Sequence, residues 1–141
     1  MALLTRKGLL AIAAVIDVAV HGKGQPVSAK TLAARHSLPA RHLEPVLQAL
    51  VRMGILRGIR GPRGGYELAR ERRRITADDI LRAAGTIEEA GDPPGTAGSA
   101  LLTDVVIPAI GQAERAFSMA LSRISLDELV RKAEPLRDAT T

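Results

Sequence analysis

The chain has 141 residues and no cysteine, which excludes disulfides, thiolate zinc sites, cysteine-ligated iron–sulfur clusters and cysteine nucleophiles together. Its apolar share of 46% comes mainly from Ala, Leu, Val and Ile, and Tyr66 and Phe117 are its only aromatics, too few for a stacking platform for single strands. The net charge of +5 is uneven: residues 1–84 hold 15 Lys and Arg against 6 Asp and Glu (+9), and residues 85–141 hold 5 against 9 (−4), which fits a polyanion-binding head with an assembly element behind it.

The length suits one domain, or one domain with an appended element. No apolar run approaches the roughly 18 residues that read as a membrane span. The run Leu9–Val20 is broken by Asp17 and lacks a cleavage site. No signal peptide is expected, and the expected location is the cytoplasm.

Thr5 can cap a first helix, along which Leu9, Ile12, Val15/Ile16 and Ala19 recur at helical spacing up to the Gly22-Lys23-Gly24 break. Its apolar character all round predicts a central place in the core. Thr5, Arg6 and Lys7 at its start either hold a phosphate or form a capped, solvated helix end.

Pro26-Val27-Ser28 opens a second helix, with Ser28 as cap and Leu32 and Ala33 facing inward, ending near Arg35-His36. After a turn at Leu38-Pro39, a third helix is expected from about Ala40 to Met53 on Leu43, Val46/Leu47 and Leu50, with Gly54 as its stop. A short helix, a tight turn and a longer helix give the helix-turn-helix pattern, although αα-hairpins in general share it. Arg41, His42, Glu44 and Gln48 are not needed for the core and lie early on the helix that would enter a major groove. Arg41 can pair with guanine, Glu44 can accept from cytosine N4, and Gln48 can reach adenine. Pro45 conflicts with this assignment: either the helix begins nearer His42 or it bends there.

Arg60-Gly61-Pro62-Arg63-Gly64-Gly65-Tyr66 follows, flanked by short apolar runs that suit strands. It predicts a β-hairpin whose tip carries Arg60 and Arg63, set against the plainer reading of a β-turn with solvated arginines. Coming directly after the helix pair, it becomes a wing. Its two arginines, Arg60 and Arg63, then suit phosphate or a narrow minor groove.

The run Arg70-Glu71-Arg72-Arg73-Arg74 is either a solvated loop or a second backbone contact. Thr76-Ala77-Asp78-Asp79 starts another helix with acidic residues in its first turn, packing through Ile80, Leu81 and Ala84. Residues 85–100 read as a loop between head and tail. Beyond them Val106, Ile110, Ala113, Phe117, Ala120/Leu121 and Ile124 form one apolar stripe on a long helix, with Pro108 near its start or kinking it. The head is too small to cover that stripe, so a second copy is its natural partner. Ser125 opens a short closing helix, and a frayed tail is expected after Pro135.

The resulting expectation is a mostly α fold with a small β-hairpin wing. It has a winged helix-turn-helix head (1–84), a loop (85–100), and a long dimerisation helix with a C-terminal helix (101–141). His21, His36 and His42 lie far apart and form no ligand spacing. No nucleophile–base set, phosphate-binding loop or carboxylate pair has supporting context, so neither catalysis nor a metal is expected. The alternative function is a winged helix used only for protein contacts, as an assembly subunit without specific DNA readout. The +9 head argues against it.

Leu4-Thr5-Arg6-Lys7-Gly8, Val18-Ala19-Val20-His21-Gly22, Pro26-Val27-Ser28, Leu43-Glu44-Pro45-Val46-Leu47, the wing through Ala69, and Ile124-Ser125-Leu126-Asp127-Glu128-Leu129-Val130 form a recognisable set. Together they resemble the bacterial Rrf-two family of IscR, NsrR and CymR over nearly the whole chain. The resemblance implies a homodimeric regulator, read here as a repressor of a pseudo-palindromic double-stranded DNA operator, with a crossed dimerisation helix. It implies that Arg41 and Glu44 face bases, that Arg60 enters the minor groove, and that Lys7, Ser28 and His42 lie near the backbone. Many members hold an iron–sulfur cluster through three cysteines ahead of the long helix. Here that loop offers only Glu88, Glu89, Asp92 and the adjoining Asp104, a hard carboxylate set, so a cluster-free member with no cofactor is expected. The input signal stays open: a small-molecule effector between head and long helix, or none.

Overall fold

The computed structural model describes residues 5–85 and 99–140, the side chains of 137–140 excepted. Helix α1 (Arg6–His21) starts at Thr5, whose hydroxyl accepts the Gly8 N–H at 2.9 Å. With Ala11, Ala14, Val15, Val18 and Val20 all buried, it is the central strut of the core. Asp17 is the one buried charged residue among those described. Arg35 gives its carboxylate two N–H bonds, both 2.9 Å, and His36 Nε2 lies 2.8 Å away. The apolar first helix therefore carries a carboxylate because the end of the second helix supplies its partners.

Helix α2 (Ala29–Arg35) is capped by Ser28, whose Oγ accepts the Thr31 N–H at 3.1 Å. The turn out of α2 places Ser37 at φ 54°, while the Leu38 N–H reaches the Ala33 carbonyl at 2.9 Å and the Ser37 N–H the Ala34 carbonyl at 3.4 Å. This is a Schellman closure with serine where glycine is usual.

Helix α3 (Ala40–Arg52) begins at Ala40, not nearer His42, and runs on through Pro45. Pro45 has no N–H to give the Arg41 carbonyl one turn back, and the helix tolerates this because four core residues, Leu43, Val46, Leu47 and Leu50, anchor its other face. A second Schellman closure ends α3. Gly54 takes φ +76°, and the Ile55 N–H bonds to the Leu50 carbonyl at 2.9 Å. Leu50 and Ile55 are both fully buried.

Strands β1 (Leu56–Ile59) and β2 (Gly65–Leu68) pair antiparallel, Leu56 opposite Leu68 and Ile59 opposite Gly65. Gly61 at φ +115° and a 2.9 Å bond from the Gly64 N–H to the Gly61 carbonyl make the tip. The expected hairpin is present.

The arginine run is structural rather than a free loop. Arg72–Arg74 forms a 3-10 turn; Arg70 bonds to the Gly54 carbonyl at 3.2 Å and lies 3.5 Å from Asp79, and Arg72 pairs with Asp127 at 2.7 Å. Its partners come from three separate elements, so no local pattern announces it. Helix α4 (Ala77–Gly85) opens with a reciprocal cap: the Asp79 N–H donates to Thr76 Oγ1 at 3.1 Å, and the Thr76 N–H to Asp79 Oδ2 at 3.0 Å. Of the expected loop 85–100, residues 86–98 lie outside the described residues.

A π-helical turn, Leu102–Val106, leads into α5 (Ile107–Ser122), with Pro108 in the first turn of the α-helix. The wider turn accommodates the missing donor and the ring of Pro108 without a break in the helix. The single expected stripe divides in two. Phe117 and Leu121 are half-buried against α4, whereas Val106 and Ile110 are exposed, as are Leu101, Val105 and Ile107 around them.

Helix α6 (Leu126–Thr140) starts at Ser125, whose Oγ accepts the Glu128 N–H at 3.1 Å. It passes through Pro135 to Thr140, longer than the frayed tail expected. Its first turns are held in the head: Leu126 and Val130 are fully buried, and the Leu126 N–H bonds to the Ile75 carbonyl at 2.8 Å.

Candidate nucleic-acid interface

The outward face of α3 follows from its inward face. Once Leu43, Val46, Leu47 and Leu50 are buried, Arg41, His42, Glu44 and Gln48 must lie in solvent, and all four are exposed. Pro45 and Arg52 are exposed on the same helix, and neither was among the candidate residues. The signal for them was available: both are surplus to the core at helical spacing from Arg41.

The wing is not a free hairpin. Val27, directly before the Ser28 cap, exchanges backbone hydrogen bonds of 2.9 and 2.8 Å with Tyr66. That makes β2 the middle of three extended segments and locks the wing to the entrance of the helix-turn-helix. A Cβ at Gly65 would stand 2.5 Å from the Val27 carbonyl, so the close approach requires glycine there.

Four of the eight candidate residues line two hollows on either side of the wing, while Arg41, His42 and Glu44 stand outside both on α3. Gln48 and Arg60 line one of about 470 Å³ between α3 and the hairpin, with Ile59 and Tyr66 on its walls. Ser28 and Arg63 line the other, of about 670 Å³, with Thr31 and Arg35. Lys7 is exposed at the start of α1 and lines neither. Ser28 Oγ already serves Thr31, accepting its N–H and lying 2.9 Å from its hydroxyl.

Charge pairing divides the described arginines into two groups, and the candidate arginines fall in the unpaired one together with residues such as Arg52 and Arg73. Arg35, Arg57, Arg70, Arg72, Arg82 and Arg131 all have carboxylate partners. Among the described residues, Arg41, Arg60 and Arg63 form no ion pair and keep their donors for an outside anion. Arg57 is held at 3.0 Å by Glu67 across the hairpin, so the wing's unpaired cations are at its tip.

Helix, turn, recognition-type helix and a two-stranded basic wing define a winged helix-turn-helix transcriptional regulator. The chain belongs to the Rrf2 family, described as Iron-dependent Transcriptional regulator, whose model matches residues 4–132. The HTH-type transcriptional regulator IscR of Xenorhabdus nematophila is 31% identical over 137 residues, covering 94% of this chain and 82% of that protein. Among solved structures, T. potens IscR superposes with a TM-score of 0.71 at 28% identity, covering 94% of this chain and 89% of that one. CymR, the global cysteine regulator of B. subtilis, gives 0.69 at 26%, covering 94% and 98%. The relatives are regulators, not enzymes, and no described helix is long and apolar enough to cross a membrane.

Among the described residues the donors do not fit the iron of the family description. The sequence has no thiolate, and its three imidazoles are scattered. His36 lies against Asp17, His42 is out on α3, and His21 ends α1. No group of three or more metal-binding side chains converges among the described residues, and Asp104 lies exposed in the π turn, where it accepts from the Thr103 hydroxyl at 3.3 Å. Glu88, Glu89 and Asp92 lie outside the described residues.

Proposed function

We propose that the chain acts in the cytoplasm as a homodimer that binds a pseudo-palindromic double-stranded operator and represses the genes behind it. The observation that carries this reading is the shared hollow of Gln48 and Arg60. A DNA strand running between a helix in the major groove and a wing in the minor groove needs such a channel, with donors on both walls. Arg41, Glu44 and Gln48 then meet base edges, Arg60 enters the minor groove, and Lys7, Ser28, His42 and Arg63 meet phosphates.

The homodimer is supported by the uncovered apolar face ahead of and along α5. Leu101, Val105, Ile107 and Ile110, within about ten residues of one another, are each more than half exposed, at 65, 57, 52 and 56%. Monomers rarely keep such a contiguous patch in water, and a second copy offers the same patch in return. Two α3 helices carried by one dimer would address half-sites about 34–36 Å apart.

The test is selection of bound sequences from a random duplex pool, followed by affinity measurement across salt. A two-fold motif is expected, with log affinity falling steeply against log salt, by about 0.9 for each phosphate contacted. Recovery of no motif, with affinity insensitive to salt, would overturn the reading in favour of a protein-binding winged helix. Footprinting on the source genome would name the regulated genes.

A further inference from the structure

On α3, at 100° per residue, Arg41, Pro45, Gln48 and Arg52 fall within an arc of about 60°, opposite Leu43, Leu47 and Leu50. All four are exposed, and Pro45 lies nearer the middle of that stripe than Glu44 does. Its ring is outside the core cluster, so packing does not account for a proline in the interior of this helix. The neighbours on the stripe can read bases by hydrogen bonding; a proline ring cannot. It presents only CH₂ groups, fixed without rotamer freedom.

In the major groove the one apolar feature on any base edge is the C5-methyl of thymine. We propose that Pro45 is a specificity-determining residue that reads a thymine methyl in each operator half-site, between the bases addressed by Arg41 and Gln48. This rests on the DNA-reading function proposed above and adds a base class to it: a position where thymine is preferred to cytosine by contact rather than by hydrogen bonding.

The experiment uses the full chain and the site it selects. Each thymine of that site is replaced singly by deoxyuridine, which lacks only the methyl, and affinities are measured for the parent and for Pro45→Ser. The parent is expected to lose about fourfold at one thymine per half-site, the value of one buried methyl-sized group. Pro45→Ser should show no loss at that thymine while keeping the parent's response everywhere else. The serine restores an N–H to the helix, so the variant is expected to fold, and its retained affinity for the deoxyuridine site checks this. No methyl-sensitive thymine in the parent, or equal sensitivity in both proteins, overturns the inference and leaves sequence-specific binding intact. A parent that selects no sequence overturns the proposed function, and this inference with it.

Discussion

Val27 and Tyr66 hold each other by two backbone hydrogen bonds of 2.9 and 2.8 Å, joining the wing to the residue ahead of the α2 cap. This link makes the wing a rigid extension of the helix-turn-helix and directs Arg60 and Arg63 to opposite sides of it. Gly65→Ala would drive a Cβ to within 2.5 Å of the Val27 carbonyl. The expected outcome is a loss of specific DNA affinity of at least about tenfold, with a stability loss of about 1–2 kcal/mol. Binding titration and thermal unfolding of the same preparation separate the two effects.

Arg60 and Glu44 make different kinds of contact and should fail differently. Arg60→Ala should weaken binding to the selected operator by about 1–3 kcal/mol. Glu44→Ala should leave the best site bound and relax the preference at one base pair of each half-site, because an acceptor for cytosine is gone. Repeating the random-pool selection with each variant checks both. Parental motifs and parental affinities from both variants would remove these side chains from the base-reading set.

Asp17 is a buried carboxylate satisfied from outside its own helix. Asp17→Ala strands Arg35, whose side chain is 34% exposed and so partly rehydrates. The expected loss is about 2–3 kcal/mol, below the range for a fully buried pair. Urea unfolding should show a lower midpoint with an unchanged slope.

Ile110 stands 56% exposed on α5, in the face proposed for the dimer. Ile110→Lys is expected to shift sedimentation from dimer to monomer and to lower operator affinity with it, while leaving the helical circular-dichroism signal of the head. A variant that sediments as the parent does would place the dimer contact elsewhere.

Ser37 holds φ 54° in the turn between α2 and α3, where a Cβ is strained. Ser37→Gly relieves that strain at the cost of a looser unfolded chain, and a net stabilisation of up to about 1 kcal/mol is expected. Thermal unfolding reads it directly. A destabilised variant would mean that the serine side chain contributes more than the turn strain takes away.

Much of this molecule is legible in local chemistry. Thr5, Ser28 and Ser125 cap their helices because a short side-chain oxygen meets an otherwise orphaned N–H within three residues. Gly54 and the Gly61–Gly64 tip declare turns because other residues are strained there. The exposed stripe of α3 follows from its buried one by simple rotation. These signals act over one or two turns of chain, the distance over which periodicity and capping carry information.

What remained closed to the sequence is whatever depends on two distant segments meeting. Nothing near Asp17 indicates that Arg35 and His36 will partner it, and nothing in the Arg70–Arg74 run foretells Gly54, Asp79 and Asp127 as partners. The apolar stripe after residue 100 was visible, but only the packing of α4 against Phe117 and Leu121 decided which half the head covers and which half stays exposed. The wing itself was determined by its glycines and arginines. Which arginine faces the recognition helix was decided by the backbone pairing of Val27 with Tyr66, since a hairpin alone has no fixed direction until a third segment binds its edge.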